Sequence, residues 1–326
     1  MALPKVFLTR LIPEEGLTLV QSLVDLDIWP GELPPSREAL LERVRGIDGL
    51  LCLLTDPIDA AVMDAAGEGL RVISQMAVGF DNIDVTAATA RRIPVGNTPG
   101  VLTEATADFT WALLLAAARR VVEADAYTRA GRWKTWGPKL LLGANVSGAT
   151  LGIVGFGRIG QAVAMRARGF DMRLVYFDRQ RKPDLEHALD VEYAAFEALL
   201  AESDFVSIHT TYSESTHHLF SDAEFDRMQP GAILINTARG PIVDREALYR
   251  ALMTGKIAAA ALDVTEPEPI DPSDPLLALD NLVITPHIAS ASRSSRGRMA
   301  QMAAHNLLAG LRGERLPNCV NPEVYG

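Results

Sequence analysis

Short apolar runs alternate with amphipathic helical patterns along most of the chain. Before residue 95, runs of strand length lie at residues 5–9, 48–54 and 71–75, and helical stretches such as Ser36 to Arg45 separate them. After residue 150 the alternation resumes, with strands predicted near Leu151, Leu174, Phe205, Ile233, Ala259 and Val283. Strands that alternate with helices are typical of parallel sheets, so the pattern predicts an α/β protein with two doubly wound parallel sheets.

Several helix ends can be read directly. Residues 221–224, Ser-Asp-Ala-Glu, form a capping box, and Asp244 begins a helix that stops at Gly255. A mostly apolar helix is predicted from Thr103, as N-cap, to Val122. It is too apolar for a solvated linker, so we expect it at a domain or subunit interface. Residues 132–136 contain two of the four tryptophans and form either a local core or part of such an interface.

A glycine-rich turn, Gly-Phe-Gly-Arg-Ile-Gly at residues 155–160, follows the predicted strand at residues 151–154. The first glycine allows a tight turn, the second lets a pyrophosphate approach the backbone, and the third packs the helix on the strand. The helix N-terminus then offers N–H groups to the phosphates. In this strand-to-helix context the turn predicts a dinucleotide site formed by Gly155, Gly157, Arg158, Ile159 and Gly160.

Asp178 ends the next predicted strand, Arg173 to Phe177, and lies 18 residues beyond Gly160. An acid here accepts hydrogen bonds from the ribose hydroxyls and repels a 2′-phosphate, which favours NAD(H) over NADP(H). Residues 179–182 contain Arg179, Arg181 and Lys182, which could pair with a 2′-phosphate or form a solvated charge run. NAD(H) is therefore favoured, and use of NADP(H) stays open.

The helical pattern from Ser290 to Leu311 lies beyond the last strand of the second sheet, so it can cross back to the first domain. We therefore expect two Rossmann-like domains separated by a cleft. Residues 1–100 with 288–326 would form a discontinuous substrate (catalytic) domain, and residues 101–287 a dinucleotide-binding domain.

The amino-acid composition limits the kinds of partner and the cellular location that we expect. The 326 residues are 48% hydrophobic, enough for two cores, and the net charge of −10 argues against nucleic acid or an anionic membrane as a partner. Cys52 and Cys319 are the only cysteines, so no disulfide framework is implied. The N-terminus has no signal-peptide core, and no apolar run reaches membrane-spanning length. A cytoplasmic protein without a metal site is expected.

Further motifs carry a resemblance to a known family. They are residues 78–84 (VGFDNID), 97–100 (NTPG), 236–240 (NTARG), 262–264 (LDV), 266–269 (EPEP) and 285–288 (TPHI). With the glycine turn they span nearly the whole chain, which resembles the D-isomer-specific 2-hydroxyacid dehydrogenases, most closely their glyoxylate/hydroxypyruvate reductase branch. The resemblance implies an oxidoreductase that transfers a hydride from NAD(P)H to a small 2-oxo acid.

Arg239, Glu268 and His287 fit that reaction by their chemistry. A 2-oxo acid carries a carboxylate beside a ketone, so the fork of Arg239 can bind the carboxylate and polarise the carbonyl. Protonated His287 can donate to the forming alkoxide. Glu268, hydrogen-bonded to the other ring nitrogen, would stabilise the imidazolium and orient it. Each residue alone has an ordinary structural explanation, but the set indicates a catalytic site.

The resemblance implies further contacts. It assigns the N–H groups of Val78 and Gly79 to the substrate carboxylate and Asp263 to the nicotinamide amide. It also assigns Thr106, Arg179, Thr237 and Ala238 to the cofactor, Leu53 to the substrate pocket, and Trp136 to the partner subunit's pocket in a homodimer.

Single positions in the sequence help to choose among the substrates that members of the family use. Leu53 stands where phosphoglycerate dehydrogenases carry an arginine, Val78 where phosphite dehydrogenases carry a lysine, and Glu268 where formate dehydrogenases carry an amide, so those substrates are disfavoured. Glyoxylate and hydroxypyruvate remain the best candidates, with pyruvate or a bulkier 2-oxo acid as an alternative. The alternative from another functional class is an NAD(H)-sensing, corepressor-like protein. An activity assay would distinguish it from an enzyme.

Overall fold

A computed structural model describes residues 2–326 and divides the chain into two compact units. The first unit comprises the residues up to Leu102 together with Ala291–Gly326, and the second comprises Thr103–Ser290. Within the described residues, every strand pairing of both sheets is parallel. The predicted α/β class with two parallel-sheet domains is therefore confirmed.

The sheet of the first unit has the strand order β2-β1-β3-β4-β5 among the described residues. Its strands are β1 (Lys5–Leu8), β2 (Asp25–Ile28), β3 (Gly49–Cys52), β4 (Val72–Gln75) and β5 (Val95–Gly96). The helices between them are α1 (Glu14–Val20), α2 (Arg37–Arg43), α3 (Ala60–Ala66) and α4 (Val85–Ala90). Every residue of β3 and β4 is buried, as expected for a sheet covered on both faces.

The sheet of the second unit has the order β12-β11-β10-β9-β6-β7-β8. Its strands are β6 (Thr150–Val154), β7 (Arg173–Phe177), β8 (Glu192–Tyr193), β9 (Phe205–Ile208), β10 (Ile233–Asn236), β11 (Ala259–Leu262) and β12 (Leu282–Ile284). Its helices are α5 (Thr103–Ala118), α6 (Val121–Arg129), α7 (Arg158–Ala167), α8 (Pro183–Leu189), α9 (Phe196–Glu202), α10 (Asp222–Arg227) and α11 (Arg245–Thr254). All six strands predicted after residue 150 are present.

The long apolar helix differs from its prediction. Helix α5 ends at Ala118, and Arg120 adopts a left-handed conformation with φ of 53° before α6 begins. Its buried residues pack against α7 and the strands β10 and β11 in the core of the second unit itself. The apolar character from which we expected an interface is explained by burial in the core of the second unit, and an interface at this helix stays a prediction.

The last helix returns the chain to the first unit. Helix α12 (Arg293–Leu311) is capped by Ser292, whose side chain accepts a hydrogen bond from Ser295 N at 3.1 Å. It packs against α1, β3 and β4. The predicted capping box at residues 221–224 and the helix from Asp244 to Gly255 are both confirmed. No helix in residues 2–326 combines the length and the apolar character that a membrane span needs.

Candidate active site

The glycine turn after β6 is required by close backbone contacts. Gly155 has φ of 93°, and a Cβ there would lie 2.5 Å from Thr210 N. A Cβ on Gly160 would collide with the Gly155 carbonyl oxygen. By contrast, a Cβ on Gly157 would meet no atom within 4 Å. The first and third glycines therefore hold the turn together, whereas the second leaves space directly before the first turn of α7.

That space fits a dinucleotide. Gly157 is the N-cap of α7, and Arg158 and Ile159 occupy the helix's first turn, where backbone N–H groups have no partner within the helix. An anion that approaches Gly157 would meet these N–H groups and the positive end of the helix dipole. The residues of the turn are thus suited to hold the pyrophosphate of a dinucleotide.

Asp178 lies directly after β7 and is already hydrogen-bonded to the glycine turn. Its Oδ2 accepts from Phe156 N at 2.9 Å, and its Oδ1 accepts from Gln180 N at 3.2 Å. Partial burial raises the pKa of Asp178, but the hydrogen bonds from Phe156, Lys182 and Gln180 outweigh it and hold the pKa below the ordinary value. Asp178 is therefore an anion near neutral pH, and its contact with an adenosine ribose stays a prediction.

The basic residues after Asp178 are largely committed to partners within the chain. Arg181 forms an ion pair with Glu186 at 2.7 Å. The ammonium of Lys182 donates to Phe156 O at 2.6 Å and pairs with Asp178 Oδ2 at 3.1 Å. Arg179 is exposed. Two of the three cations that could bind a 2′-phosphate are thus occupied, and the pairing of Lys182 with Asp178 was not foreseen from the sequence.

Arg239, Glu268 and His287 follow the adjacent strands β10, β11 and β12, whose carboxyl ends lie in register: Asn236 pairs with Leu262, and Leu262 with Ile284. The turn that carries Arg239 is fixed by Asn236, whose Nδ2 donates to Arg239 O at 2.9 Å. A Cβ on Gly240 would collide with the Thr265 carbonyl, so this turn contacts the loop that leads to Glu268. The topology therefore places these three residues at one edge of the sheet.

His287 and Glu268 are in direct contact. His287 Nδ1 lies 2.5 Å from Glu268 Oε1, and the two side chains are 22% and 33% exposed. Because the carboxylate occupies Nδ1, the Nε2 of the imidazole is the nitrogen that can serve a bound molecule. The contact predicted from the sequence is therefore present, although its catalytic role stays a prediction.

The loop with His287 is held by Asp263, which is 1% exposed. The Asp263 carboxylate accepts from Thr285 Oγ1 at 2.6 Å, from Ile288 N at 2.9 Å and from Ala289 N at 2.7 Å. His287 itself has φ of 54°, and its N–H donates to Asp263 O at 2.9 Å. Asp263 thus fixes the unusual backbone of His287, a function that sequence reasoning missed when it assigned the carboxylate to the cofactor alone.

The remaining residues predicted for the cofactor lie beside β10. Thr237 Oγ1 lies 2.9 Å from Thr110 Oγ1, which in turn donates to Thr106 O at 2.8 Å. Thr106 and Thr237 are 4% and 8% exposed. Ala238 N donates to Asn236 Oδ1 at 2.9 Å. This chain of contacts ties α5 to the turn before Arg239. It shows Thr106 to be a packed structural residue, and its contact with a cofactor stays a prediction.

The residue predicted to line the substrate pocket, Leu53, and the two predicted to bind the carboxylate through backbone N–H groups, Val78 and Gly79, belong to the first unit. Leu53 follows β3 and is half-buried, while Val78 and Gly79 lie in the turn after β4. Trp136 belongs to the second unit and is 79% exposed. The exposed position of Trp136 agrees with a surface that another chain could cover.

His209, His217 and His218 lie outside the predicted site. His217 is exposed, but His209 is partly buried, with Nε2 2.8 Å from Ser207 Oγ, and burial lowers the pKa of His209 to about 3. The potential ligand atoms of His217, His218 and Glu266 lie within 4.8 Å of one another. The two imidazole rings are stacked, with centroids 3.9 Å apart, so their lone pairs run parallel and do not converge on a cation. We assign no metal to this group.

Comparison with known proteins shows which family the chain is similar to. The family model for the D-isomer specific 2-hydroxyacid dehydrogenase, NAD binding domain, matches residues 111–289. The glyoxylate reductase of Korarchaeum cryptofilum is 58% identical over 98% of this chain and 97% of its own length. That of Thermococcus litoralis is 50% identical over 98% of both chains. The crystal structure of the TT0316 protein from Thermus thermophilus superposes with a TM-score of 0.91 at 51% identity, covering 97% of this chain and 99% of that one.

Proposed function

The chain belongs to the D-isomer specific 2-hydroxyacid dehydrogenase family, and we propose that it reduces glyoxylate to glycolate with a nicotinamide cofactor. Relatives named glyoxylate reductase, which align over nearly the full chain at 50% to 58% identity, support this substrate. The observation that carries the proposal is the contact of 2.5 Å between His287 and Glu268, which lie in the loops after β12 and β11, beside the strand β10 that leads to Arg239.

Arg239 binds and polarises the substrate. Its planar guanidinium matches the two oxygens of a carboxylate, and the same group can donate to the neighbouring carbonyl oxygen. Electron withdrawal from that carbonyl makes its carbon a better acceptor for a hydride. The anchored turn at Asn236 and the tight approach at Gly240 fix the backbone that carries Arg239, which limits the reorganisation needed when the substrate binds.

His287 supplies the proton. The carbonyl oxygen gains negative charge as the hydride adds to the carbon, and the imidazolium Nε2 donates its proton to that oxygen, so the product is the neutral hydroxyl of glycolate. Glu268 holds the imidazolium by Nδ1 and stabilises its positive charge. In the reverse direction the same nitrogen accepts the hydroxyl proton.

A nicotinamide dinucleotide, when bound, supplies the hydride. The turn at Gly157 and the first turn of α7 would hold its pyrophosphate, and Asp178 would accept from its ribose hydroxyls. The ion pairs of Arg181 and Lys182 support a preference for NAD(H), because these cations already have carboxylate partners. Lys182 also offsets part of the charge of Asp178, so NADP(H) is used less well but not excluded.

The predicted pocket favours an unphosphorylated substrate. Leu53 offers no charge to a phosphorylated acid, which supports glyoxylate or hydroxypyruvate over phosphorylated 2-oxo acids. Hydroxypyruvate adds one hydroxymethyl group to the same 2-oxo acid core and is the second substrate that we propose.

We further propose a homodimer formed through the segment that includes α6 and the residues after it. Large apolar side chains are exposed there: Val121 and Val122 at 52% and 54%, Trp133 at 62%, Trp136 at 79% and Leu142 at 65%. An apolar surface of this kind is typical of protein interfaces. Sedimentation should give a dimer at micromolar concentration, and a monomer would refute this part of the proposal.

A substrate panel tests the function. Purified protein is assayed for nicotinamide oxidation with glyoxylate, hydroxypyruvate, pyruvate and a branched 2-oxo acid, each with NADH and with NADPH. We expect the highest kcat/KM for glyoxylate with NADH and one glycolate formed per NADH consumed. Oxidation of NADH with none of the four acids would refute the proposal.

A further inference from the structure

Three consecutive carbonyl groups in the turn after β4 are held by hydrogen bonds. Ala77 O accepts from Thr98 N at 2.9 Å, Val78 O accepts from Asn97 Nδ2 at 2.8 Å, and Gly79 O accepts from Gln75 Nε2 at 3.1 Å. Two of these three donors are side-chain amides that the proposed mechanism does not use. Both Asn97 and Gln75 belong to the first unit, as does the whole turn.

Each anchored carbonyl fixes an N–H group. In a trans peptide the carbonyl of one residue and the N–H of the next lie in one plane and point in opposite directions. The hydrogen bond to Ala77 O therefore sets the direction of Val78 N–H, the bond from Asn97 sets that of Gly79 N–H, and the bond from Gln75 sets that of Phe80 N–H. Within residues 2–326, these three N–H groups donate no hydrogen bond to the protein.

Gln75 belongs to a network that also fixes the loop of Leu53. Gln75 is fully buried, its Nε2 also donates to Asn82 Oδ1 at 2.6 Å, and its Oε1 accepts from Cys52 Sγ at 3.0 Å. Asn82 Nδ2 in turn donates to Leu53 O at 3.1 Å and to Asp56 O at 2.8 Å. The two loops that carry Leu53 and Val78 are thus joined by one set of amide side chains, and such a satisfied buried network is rigid.

We infer that Asn97 and Gln75 are positioning residues for the carboxylate of the substrate, which they orient through the backbone without contact. This inference rests on the proposed reduction of a 2-oxo acid and on the assignment of the N–H groups of Val78 and Gly79 to its carboxylate. Asn97 points Gly79 N–H at the anion, and Gln75 keeps the following peptide from rotating. Donors that are fixed before the substrate arrives need no reorganisation when it binds.

Two variants test the inference. Asn97→Ala removes one amide without adding charge, and Gln75→Leu removes the other with nearly the same volume. Asn321→Ala is the matched control, because Asn321 is a buried amide of the same unit whose Nδ2 bonds Thr89 Oγ1 and Ile93 O, both at 3.0 Å. Measurements are kcat and KM for glyoxylate, binding of oxamate to the NADH-loaded enzyme, NADH affinity and Tm.

Loss of one aligned hydrogen bond to a charged group corresponds to roughly tenfold in affinity. For Asn97→Ala and Gln75→Leu we therefore expect the KM for glyoxylate and the Kd for oxamate to rise about tenfold each. The kcat and the NADH affinity should stay close to those of the parent. Asn321→Ala should lower Tm without a selective change in KM.

Several outcomes would overturn the inference. A folded Asn97→Ala variant with parental KM and parental oxamate affinity would do so, and so would an equal rise in KM for Asn321→Ala. If Gln75→Leu fails to fold, Asn97→Ala decides the question, and Asn97→Ser replaces it if alanine is not tolerated. A parent enzyme that reduces no 2-oxo acid would instead refute the proposed function, and this is visible before any variant is compared.

Discussion

Asp178→Asn should move cofactor preference toward NADPH while it leaves the glycine turn intact. Asparagine keeps an oxygen that can accept from Phe156 N, the contact that Asp178 makes at 2.9 Å. It removes the negative charge that would repel a 2′-phosphate. It also removes the partner of Lys182, which lies 3.1 Å from the carboxylate and would become available to the phosphate. Alanine is a poorer choice, because it would also remove the acceptor of Phe156 N–H.

The size of the effect follows from charge and distance. Two unit charges about 5 Å apart repel by about 3 kcal/mol at an effective dielectric constant of about 20. Lys182 and dissolved salt offset roughly half of this repulsion. Removal of the charge should therefore strengthen NADPH binding about tenfold. A neutral acceptor binds the ribose hydroxyls about 1 kcal/mol less well than a carboxylate, which costs about fivefold with NADH. The ratio of kcat/KM for NADPH to that for NADH should therefore rise about 50-fold.

The assay compares kcat/KM for both cofactors at saturating glyoxylate. Asp204→Asn is the matched control, because Asp204 also accepts a backbone N–H, that of Thr150 at 2.8 Å, but at the opposite end of β6. Its cofactor ratio should equal that of the parent. An unchanged ratio in a folded Asp178→Asn variant would contradict the assignment of Asp178 to the ribose.

Four further substitutions have distinct expected results. Gly157→Ala should keep the parental Tm, because a Cβ there meets no protein atom within 4 Å, but it should weaken NADH binding. Gly160→Ala should lower Tm, because its Cβ collides with the Gly155 carbonyl. Equal losses of Tm in the two variants would argue against these different roles of the two glycines. Arg239→Lys should raise the KM for glyoxylate at least tenfold, since an ammonium cannot replace a bidentate fork, and a parental KM would count against substrate binding by Arg239. Burial lowers the pKa of His209 from 6.5 to about 3, so between these values the unfolded chain binds a proton that the folded chain does not. Stability should then fall by up to about 1.4 kcal/mol per pH unit as pH drops below about 6.5, and urea unfolding of His209→Asn should lack that part of the slope.

Much of the fold was predictable because its signals are local. Strand β7 was predicted with its exact bounds, since its four residues from Leu174 to Phe177 are apolar or aromatic and stand directly before Asp178. The split of the long helix at Arg120 was not predictable, because no glycine or proline marks it and an arginine in the left-handed conformation has no signature in the sequence. The helix was also assigned to an interface, since apolarity alone does not reveal which surface covers a helix.

Some features of the candidate site could likewise be predicted from the sequence, and others could not. The contact between His287 and Glu268 could be anticipated, because both residues follow strands that end at one edge of the sheet. The support of His287 by Asp263, and the two bonds of Lys182, depend on side-chain directions that spacing does not give. Asn97 stood in a motif that had been noted, but its hydrogen bond to Val78 O connects two turns that only the folded chain brings together.

The role of His287 as proton donor can be tested on the chemical step itself. The single-turnover rate of glyoxylate reduction is measured for His287→Gln with saturating NADH, and NADH binding is measured on the same sample. The account predicts nearly parental NADH affinity and a rate about 10²- to 10⁴-fold lower, as is typical when a general acid is lost. A parental rate under these chemistry-limited conditions would contradict the proposed mechanism.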